Sequence, residues 1–407
     1  MSLLTMAYRN IFRNKRRSLL SGIAILIATM SILLLFGLID GMKDDMKKNL
    51  IDFYLGNIRI RNAQYTAYEH LNPLMLGVPL SSSMNALAGI EGIDTIAPRI
   101  KLPAGLIRDT ETGLLIQAVD FEVEKKFQHI DVYLKEGRLP ESPDAREIVL
   151  TKWLLNKLNV NLNDKITLLI QTKTGGTNAM TFRICGVLEY PVAMLNSSSA
   201  YIPLRVGQYF ARMDDLVTEI LIKTKPAVDE KLMAQTIKML PELQRDYEIK
   251  TWKEINEIYS FFEMAQGIYI VIAIVFFILA STVIINTTLM VVFERMKEIG
   301  TLGALGMEGG EITKLFFLEA LIIACVAAFL GAIAGNIVGI PLAIYGIDFS
   351  GAMQGISMEV SGVVRLKLSL VNTVLVFCYS IIVSACAVLI PSRQAAHIKP
   401  IQALRST

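Results

Sequence analysis

The chain has 407 residues, of which 53% are hydrophobic and only 19% are charged, and its mean hydropathy is +0.47. These values exclude an ordinary soluble protein, because the apolar residues collect into runs near the roughly 20 residues needed to cross a bilayer. The formal net charge of +3 is too small to indicate a nucleic-acid partner. Only Cys185 of the four cysteines lies outside the apolar runs, and the three histidines are scattered, so neither a disulfide nor a metal site is expected.

Residues 1–17 are predicted to form an interfacial helix on the cytoplasmic face. Its apolar residues recur at three- and four-residue spacing, at Leu4, Tyr8, Ile11 and Phe12, while Arg9, Arg13 and Arg16 share another side. The alternative is the start of a signal peptide. The apolar run that follows is too long for one and no small-residue cleavage site follows it, which favours a membrane anchor.

Four apolar runs predict four transmembrane helices, at residues 18–41, 267–293, 315–345 and 369–391. The connections are a large domain at 42–262, a cytoplasmic segment at 294–314, an external loop at 346–368 and a cytoplasmic tail at 392–407. The first two helices are expected to continue outward through Asp40–Asn49 and Glu254–Gln266.

The 42–262 region is predicted to be an α+β extracytoplasmic domain between the first two transmembrane helices. Short alternating runs indicate strands: NIRIR, GLLIQAV, REIVL, KITLLIQT, MTFRICGVL and EILIKT. TKWLLNKL and DEKLMAQTIKML indicate helices between and after them.

Lysine and arginine in the short connections predict the orientation. The predicted cytoplasmic segments carry Arg9, Arg13, Lys15, Arg16, Arg17, Arg295, Lys297, Lys314, Arg393, Lys399 and Arg405. The predicted external loop carries only Arg365 and Lys367. Both termini are therefore expected in the cytoplasm, with the large domain outside.

No enzyme site is indicated. The pattern G-x-x-x-x-G-K-[ST] does not occur, so any ATP is expected to be hydrolysed by a partner. No Ser-His-Asp set, carboxylate pair or metal spacing indicates catalysis in the external domain.

Two features of the third apolar run concern helix packing and membrane charge. Gly331, Gly335 and Gly339 leave one side almost without side chains, which favours static packing, with a moving seam as the alternative. Glu319 lies near the cytoplasmic boundary, where water or Lys314 is expected to satisfy it. No chain of membrane acids indicates a proton relay, so a secondary transporter is not expected.

Residues Glu294 to Lys314 combine an apolar side with closely spaced glycines between charges. An ordinary solvated loop has little need of that pattern. We therefore expect a short amphipathic helix on which a cytoplasmic protein docks.

The same residues resemble a known family. ERMKEIGTLGALG, from Glu294 to Gly306, resembles the coupling helix of FtsX-like ABC transporter permeases, and the tail from Pro391 to Arg405 resembles their shared ending. AYRNIFRNKRR, from Ala7 to Arg17, is similar to the basic stretch before their first span. GLIDGMKDDM and GNIRI, from Gly37 and Gly56, are most similar to the lipoprotein-releasing LolC/LolE branch.

This resemblance implies partners that the residues alone do not show: a second permease subunit, in a homodimer or heterodimer, and a cytoplasmic ABC ATPase dimer that binds ATP and Mg. No cofactor is expected in this chain. The implied docking residues are Glu294, Arg295, Glu298, Ile299, Gly300, Leu302, Gly303 and Gly306.

The function implied by the resemblance is lipoprotein release from a bacterial inner membrane by ATP-driven mechanotransmission, with transfer to a periplasmic chaperone. The acyl chains are expected between the outer halves of the first two spans, near Leu34, Leu35, Leu38, Phe261, Phe262 and Ile268. Plain contact with membrane lipid is the alternative for these residues.

A MacB-like exporter of peptides or amphiphiles is a second possible function, although that branch usually has a fused ATPase. A mechanotransmitter that activates cell-wall hydrolases is a third, but its external domain is usually smaller.

Overall fold

The computed structural model describes residues 3–13, 15–106, 109–244, 246–255, 267–268, 271–272, 274–275, 278–279, 282, 285–286, 301, 306–349 and 361–396. Contacts divide the chain into two units. We call Met1–Lys43, Glu263–Ile347 and Val364–Thr407 the helical unit, and Asp44–Phe262 with Asp348–Val363 the sheet domain.

The α-helices in the described part of the chain are α1 (Leu3–Arg13), α2 (Lys15–Asn49), α3 (Leu80–Leu87), α4 (Phe121–Phe127), α5 (Lys152–Lys157), α6 (Ala193–Ser198), α7 (Leu204–Ala211), α8 (Glu230–Lys238), α9 (Gly309–Tyr345) and α10 (Leu370–Ala396). The strands are β1 (Ile58–Asn62), β2 (Val78–Pro79), β3 (Ile93–Leu106), β4 (Asp109–Val119), β5 (Leu134–Gly137), β6 (Glu147–Thr151), β7 (Lys165–Gln171), β8 (Thr177–Leu188), β9 (Ser199–Pro203), β10 (Leu216–Val217), β11 (Glu219–Thr224), β12 (Tyr247–Thr251), β13 (Ile347–Asp348) and β14 (Val363–Val364).

Three helical stretches within the described residues are long and apolar enough to cross a membrane: Ser18–Leu55, Gly309–Tyr345 and Leu370–Leu389. They cover the predicted first, third and fourth spans. The predicted second span, 267–293, lies largely outside the described residues, and the part that is described is helical. As predicted, α2 continues beyond the first span to Asn49.

The helix that contains the third span begins earlier than the predicted span. α9 starts at Gly309, so residues 309–314, which the sequence analysis placed in the cytoplasmic connection, form its first turns.

A ten-stranded mixed sheet forms the centre of the sheet domain. Nine strands follow the order β12-β1-β11-β3-β4-β9-β6-β8-β5, and β7 pairs with β3 and β8. The β4–β9 and β6–β8 pairs are parallel, whereas the other pairs in this sheet are antiparallel.

One face of this sheet carries the main apolar core, because alternate strand residues point to the same side. Ile58 and Ile60 of β1, for example, are fully buried in it together with residues of β3, β4, β8 and β11. Apolar residues of α3, α5, α7 and α8 complete this core. The domain is therefore an α+β fold, as predicted.

All six strands predicted from alternating runs are present, as β1, β4, β6, β7, β8 and β11, and both predicted helices are present as α5 and α8. β3, the longest strand of the described residues, was not predicted from the sequence. Pro98 and Pro103 interrupt its pattern, and proline disfavours an interior strand because it lacks the N–H donor.

Candidate functional site

The predicted docking segment is only partly described. Seven of its eight docking residues, Glu294, Arg295, Glu298, Ile299, Gly300, Leu302 and Gly303, lie outside the described residues. Gly306 occupies a turn with φ of +96°, a conformation that favours glycine. Glu308 then caps α9, with its backbone N–H donating to Oε2 of Glu311 at 3.3 Å. Glu308 thus forms a capped start of α9.

The amphipathic helix α1 is joined to α9 by a hydrogen bond within the helical unit. Nδ2 of Asn10 donates to Oε1 of Glu319 at 2.6 Å, and the neighbouring Ala7 is fully buried. Water and Lys314 were the partners anticipated for Glu319 from the sequence. Asn10 is 309 residues away in the chain, so no local pattern could have identified it.

The three-glycine side of α9 lies against α2. A Cβ built on Gly331 would lie 2.7 Å from the carbonyl oxygen of Leu26, and one on Gly335 would lie 2.9 Å from Cδ2 of Leu33. Gly331 has no space for a side chain because its close neighbour is the backbone of α2, whereas at Gly335 the close atom is the end of the Leu33 side chain. At Gly339 the nearest atom is again the end of a side chain, Cδ2 of Leu368, which lies 2.6 Å from the built Cβ.

Two glycines of α2 allow another close approach, which was not predicted from the sequence. Gly37 and Gly41 of α2 face the segment that leads into α10. The backbone N–H of Lys367 donates to the carbonyl oxygen of Gly37 at 2.9 Å, and a Cβ on Gly41 would overlap the carbonyl oxygen of Arg365. Nearby, Nδ2 of Asn372 donates to Oδ2 of Asp40 at 2.6 Å. Both glycines belong to the GLIDG part of the family signature, and close packing on backbone requires glycine at position 41.

Four of the six residues predicted to line an acyl-chain site are described. Leu34 lies beside Gly339, with its Cδ2 3.6 Å from a Cβ built there. Leu35 and Leu38 are half-buried, and at 100° per residue they lie on the side of α2 away from the contacts with Gly331 and Gly335. Ile268 is half-exposed, and Phe261 and Phe262 lie outside the described residues.

In the sheet domain, the end of α2 holds a residue from the loop between α9 and α10. Asp45 accepts hydrogen bonds from the backbone N–H of Ser361 at 2.8 Å and from its hydroxyl at 2.9 Å. Nδ2 of Asn49 donates to the same hydroxyl at 3.2 Å. Ser361 also forms an isolated antiparallel bridge with Val192. These contacts fix Ser361 to the domain on two sides.

A polar groove of about 800 Å³ lies on the sheet domain beside β8. Its lining includes Arg146, Tyr209, Arg212 and Asp214, and Tyr209 is 69% exposed. The N-terminal half of β8 pairs with β7 on one side only, and no described strand pairs with its other edge. The groove therefore offers strand-edge hydrogen-bonding groups and two guanidinium groups, which suit a polar or anionic polypeptide segment.

A buried charge cluster lies on the sheet face opposite the main core. Oε2 of Glu219 lies 2.5 Å from Nη2 of Arg61, and Nζ of Lys101 lies 3.1 Å from Oε1 of Glu219. Burial by itself would raise the pKa of the Glu219 carboxyl, but Lys101, Arg61 and Arg59 outweigh burial and hold that pKa far below its ordinary value. Within the domain, the Glu219 carboxylate thus lies between the Arg61 guanidinium and the Lys101 ammonium group.

Two family models together match most of the chain. The MacB-like periplasmic core domain matches residues 18–240, and the FtsX-like permease C-terminal domain matches residues 270–400. The first match includes α2 and most of the sheet domain, and the second includes α9 and α10.

Individual relatives are similar over long stretches at low identity. An uncharacterized ABC transporter permease of Methanocaldococcus jannaschii is 23% identical over 99% of this chain and 97% of its own length. The lipoprotein-releasing system transmembrane protein LolC of Neisseria meningitidis is 23% identical over 77% of this chain and 79% of its own. The macrolide export ATP-binding/permease protein MacB of Campylobacter jejuni is 22% identical over 98% of this chain and 60% of its own.

Proposed function

Because the chain belongs to the FtsX/MacB/LolC family of ABC transporter permeases, we propose that it is the permease subunit of a complex that extracts lipoproteins from the outer leaflet of a bacterial inner membrane. The observation that carries this proposal is the similarity to LolC, which extends over most of both chains.

The energy of extraction supports the need for an ATP-driven complex. Withdrawing an acyl chain from the membrane costs about 0.8 kcal/mol per CH₂ group, so two or three long chains cost tens of kcal/mol if water meets them fully. In the proposed complex a separate ATPase dimer binds ATP and Mg and hydrolyses the ATP. A periplasmic chaperone then receives the lipoprotein, which keeps the acyl chains away from water.

The proposed movement starts in the part of the docking segment that precedes α9, residues 294–308. Closure of the ATPase dimer displaces that part, and the capped start at Glu308 passes the displacement to α9. The glycine contacts between α9 and α2 then move α2 with it, because tightly packed surfaces are displaced together rather than compressed. A second permease subunit, identical or related, completes the proposed acyl-chain site between the first two spans, and both termini lie in the cytoplasm.

A MacB-like exporter of peptides or amphiphiles is the second candidate, favoured by the match to MacB over nearly the whole chain. It shares the membrane architecture and differs in substrate. A mechanotransmitter that activates cell-wall hydrolases has no matching observation among these relatives.

The deciding experiment is depletion of the protein in its native cell, followed by fractionation of acylated lipoproteins between membranes. We expect lipoproteins to accumulate in the inner membrane and wild-type protein to restore their release. Gly303→Trp is expected not to restore it, because the indole blocks ATPase docking. Gly89→Trp serves as the control, since no atom lies within 4 Å of a Cβ at that exposed glycine.

Normal lipoprotein sorting after depletion would reject the proposal and leave export of another substrate to be tested. If Gly303→Trp still co-purifies with the ATPase and restores release, the docking role of 294–314 is wrong, whereas lipoprotein release itself stands.

A further inference from the structure

Helix α1 has two sides with different environments. Leu4, Tyr8 and Phe12 follow one another at four-residue spacing and therefore share a side. Their exposed fractions are 60%, 56% and 53%, and the rings of Tyr8 and Phe12 stack with centroids 4.8 Å apart. The side that carries Ala7 and Asn10 packs instead on α9. The aromatic side is thus left open by the described part of the helical unit.

A second exposed apolar surface follows α1 directly in the chain. The first turns of α2 expose four large apolar residues, namely Leu19, Leu20, Ile23 and Ile27. They belong to the stretch that crosses the membrane. A bilayer that surrounds these turns also reaches α1, which precedes them by a few residues. Aromatic residues next to a span are typical of the headgroup region.

The charged residues of α1 itself are all positive. Arg9, Arg13 and Lys15 are exposed. Arginine side chains can lay their aliphatic stems along an apolar surface and place the guanidinium at headgroup level. The sequence contains no acidic residue before Asp40, whereas five basic residues lie between positions 9 and 17. Nothing in this part of the sequence repels a negatively charged surface.

We propose that α1 is a docking surface for anionic phospholipids of the leaflet on which the N-terminus lies, with Arg9 and Arg13 contacting their headgroups. A zwitterionic surface satisfies the apolar side equally well but gains little from the excess of basic residues. An anionic surface interacts favourably with the apolar side and with the basic residues. Because Asn10 joins α1 to Glu319, the bound lipid also holds α9 in place at its cytoplasmic end. This inference does not depend on the identity of the transported substrate.

The test uses the full chain in nanodiscs with a fluorescent reporter on the apolar side. Tyr8→Trp places an indole in the stripe, and the two native tryptophans, Trp153 and Trp252, lie in the sheet domain and supply a background that the unmodified chain measures. Phosphatidylglycerol and phosphatidylcholine are mixed in equal amounts, and one of them carries brominated acyl chains that quench nearby indoles. We expect brominated phosphatidylglycerol to quench the fluorescence of the introduced indole several-fold more strongly than brominated phosphatidylcholine.

The arginines are tested by Arg9→Gln/Arg13→Gln in the same reporter background. Each basic residue near an anionic surface contributes about 1 kcal/mol, a factor of about five in binding, so removing both arginines is expected to bring quenching by the two lipids close to equal. Arg205→Gln/Arg212→Gln, in the sheet domain, removes the same charge and is expected to leave the preference unchanged. Raising the salt concentration should weaken the preference in the reporter chain itself, which tests the charge effect even if the double variant fails to fold.

Three results would overturn the proposal. Equal quenching by the two lipids excludes anionic selectivity, and absence of quenching by either excludes a bilayer against this side of α1. An undiminished preference in the Arg9→Gln/Arg13→Gln variant shows that other groups recognise the lipid.

Discussion

At the scale of single residues, the Glu219 carboxylate is a fully buried negative charge that lies among Arg59, Arg61 and Lys101. Replacing it with glutamine leaves those positive charges facing one another without its compensation. We expect Glu219→Gln to lower the free energy of unfolding by about 3–5 kcal/mol at pH 7, the range found when one partner of a buried ion pair is removed. Thermal unfolding of the full chain in detergent measures it, with the exposed Glu91→Gln as the control.

The same residue makes stability depend on pH with a definite sign. The folded-state pKa of Glu219 lies below that of the unfolded chain, so its contribution is complete above the ordinary glutamate pKa of about 4.3. It is lost as the pH falls below that value towards the folded-state pKa. The difference between wild type and Glu219→Gln should therefore shrink on acidification below about pH 4. A difference that stays constant down to about pH 3 contradicts this account.

Residue-scale features were predicted from the sequence only where they were unusual in themselves. Glu319 stood out because a carboxyl group in an apolar run is rare. Its partner Asn10 did not, since an asparagine in a basic amphipathic helix has many ordinary roles. The Glu219 cluster was missed because strand residues on the second face of a sheet look like solvent-exposed alternation.

At the scale of elements, the contact of α2 with residues 365–367 depends on glycine at position 41. We expect Gly41→Ala to destabilise the helical unit by about 1–3 kcal/mol, because the added methyl group overlaps the carbonyl oxygen of Arg365 and backbone must move. Gly22→Ala is the matched control in the same helix. There the nearest atoms, in Ala327 and Ile323, lie 3.9 Å from the new Cβ, so the change is expected to be neutral or to stabilise the helix slightly.

Both variants are compared by unfolding temperature in detergent and by yield of monodisperse protein. Equal behaviour of Gly41→Ala and Gly22→Ala would show that the segment before α10 can shift without cost. A loss confined to Gly22→Ala would mean that the helix contacts themselves are wrong.

The elements themselves were predictable to the extent that their residues alternate or cluster. Six strands with clear alternation were identified, and so was the first helix together with its polar continuation. β3 was not, although it pairs with β4, β7 and β11. Pairing with these strands stabilises β3 in spite of its prolines. Local sequence patterns do not reveal stabilisation by residues that are distant in the chain.

At the scale of the whole molecule, the separation into membrane helices and an inserted α+β domain follows from hydropathy alone, because a bilayer imposes span length on the sequence. The contacts that involve the loop between α9 and α10 cannot be predicted from hydropathy. Ser361 is held by Asp45 across 316 positions of sequence. No local sequence pattern predicts a contact between residues so far apart in the chain.

The proposed acyl-chain site makes the sharpest whole-molecule prediction, and the structure separates two of its three leucines. Leu34 lies beside Gly339, so Leu34→Asp is expected to disturb helix packing as well as any lipid contact. Leu35 lies on the other side of α2, and Leu35→Asp is expected to impair lipoprotein release while the protein still inserts and co-purifies with its ATPase. The control is Leu375→Asp, because Leu375 lies five residues from the start of α10 and is 61% exposed.

An aspartate at position 35 and one at position 375 carry similar costs of membrane insertion. The cost is about 2.5–3.5 kcal/mol at the centre of a membrane helix and less towards its ends. Insertion alone therefore cannot separate Leu35→Asp from Leu375→Asp, and a difference between them in release has to come from the surface on which each lies. Retention of lipoproteins in the inner membrane with Leu35→Asp but not with Leu375→Asp places the acyl chains against α2. Equal release from both variants removes Leu35 from the substrate path and leaves its side of α2 in contact with bulk lipid or with the second permease subunit.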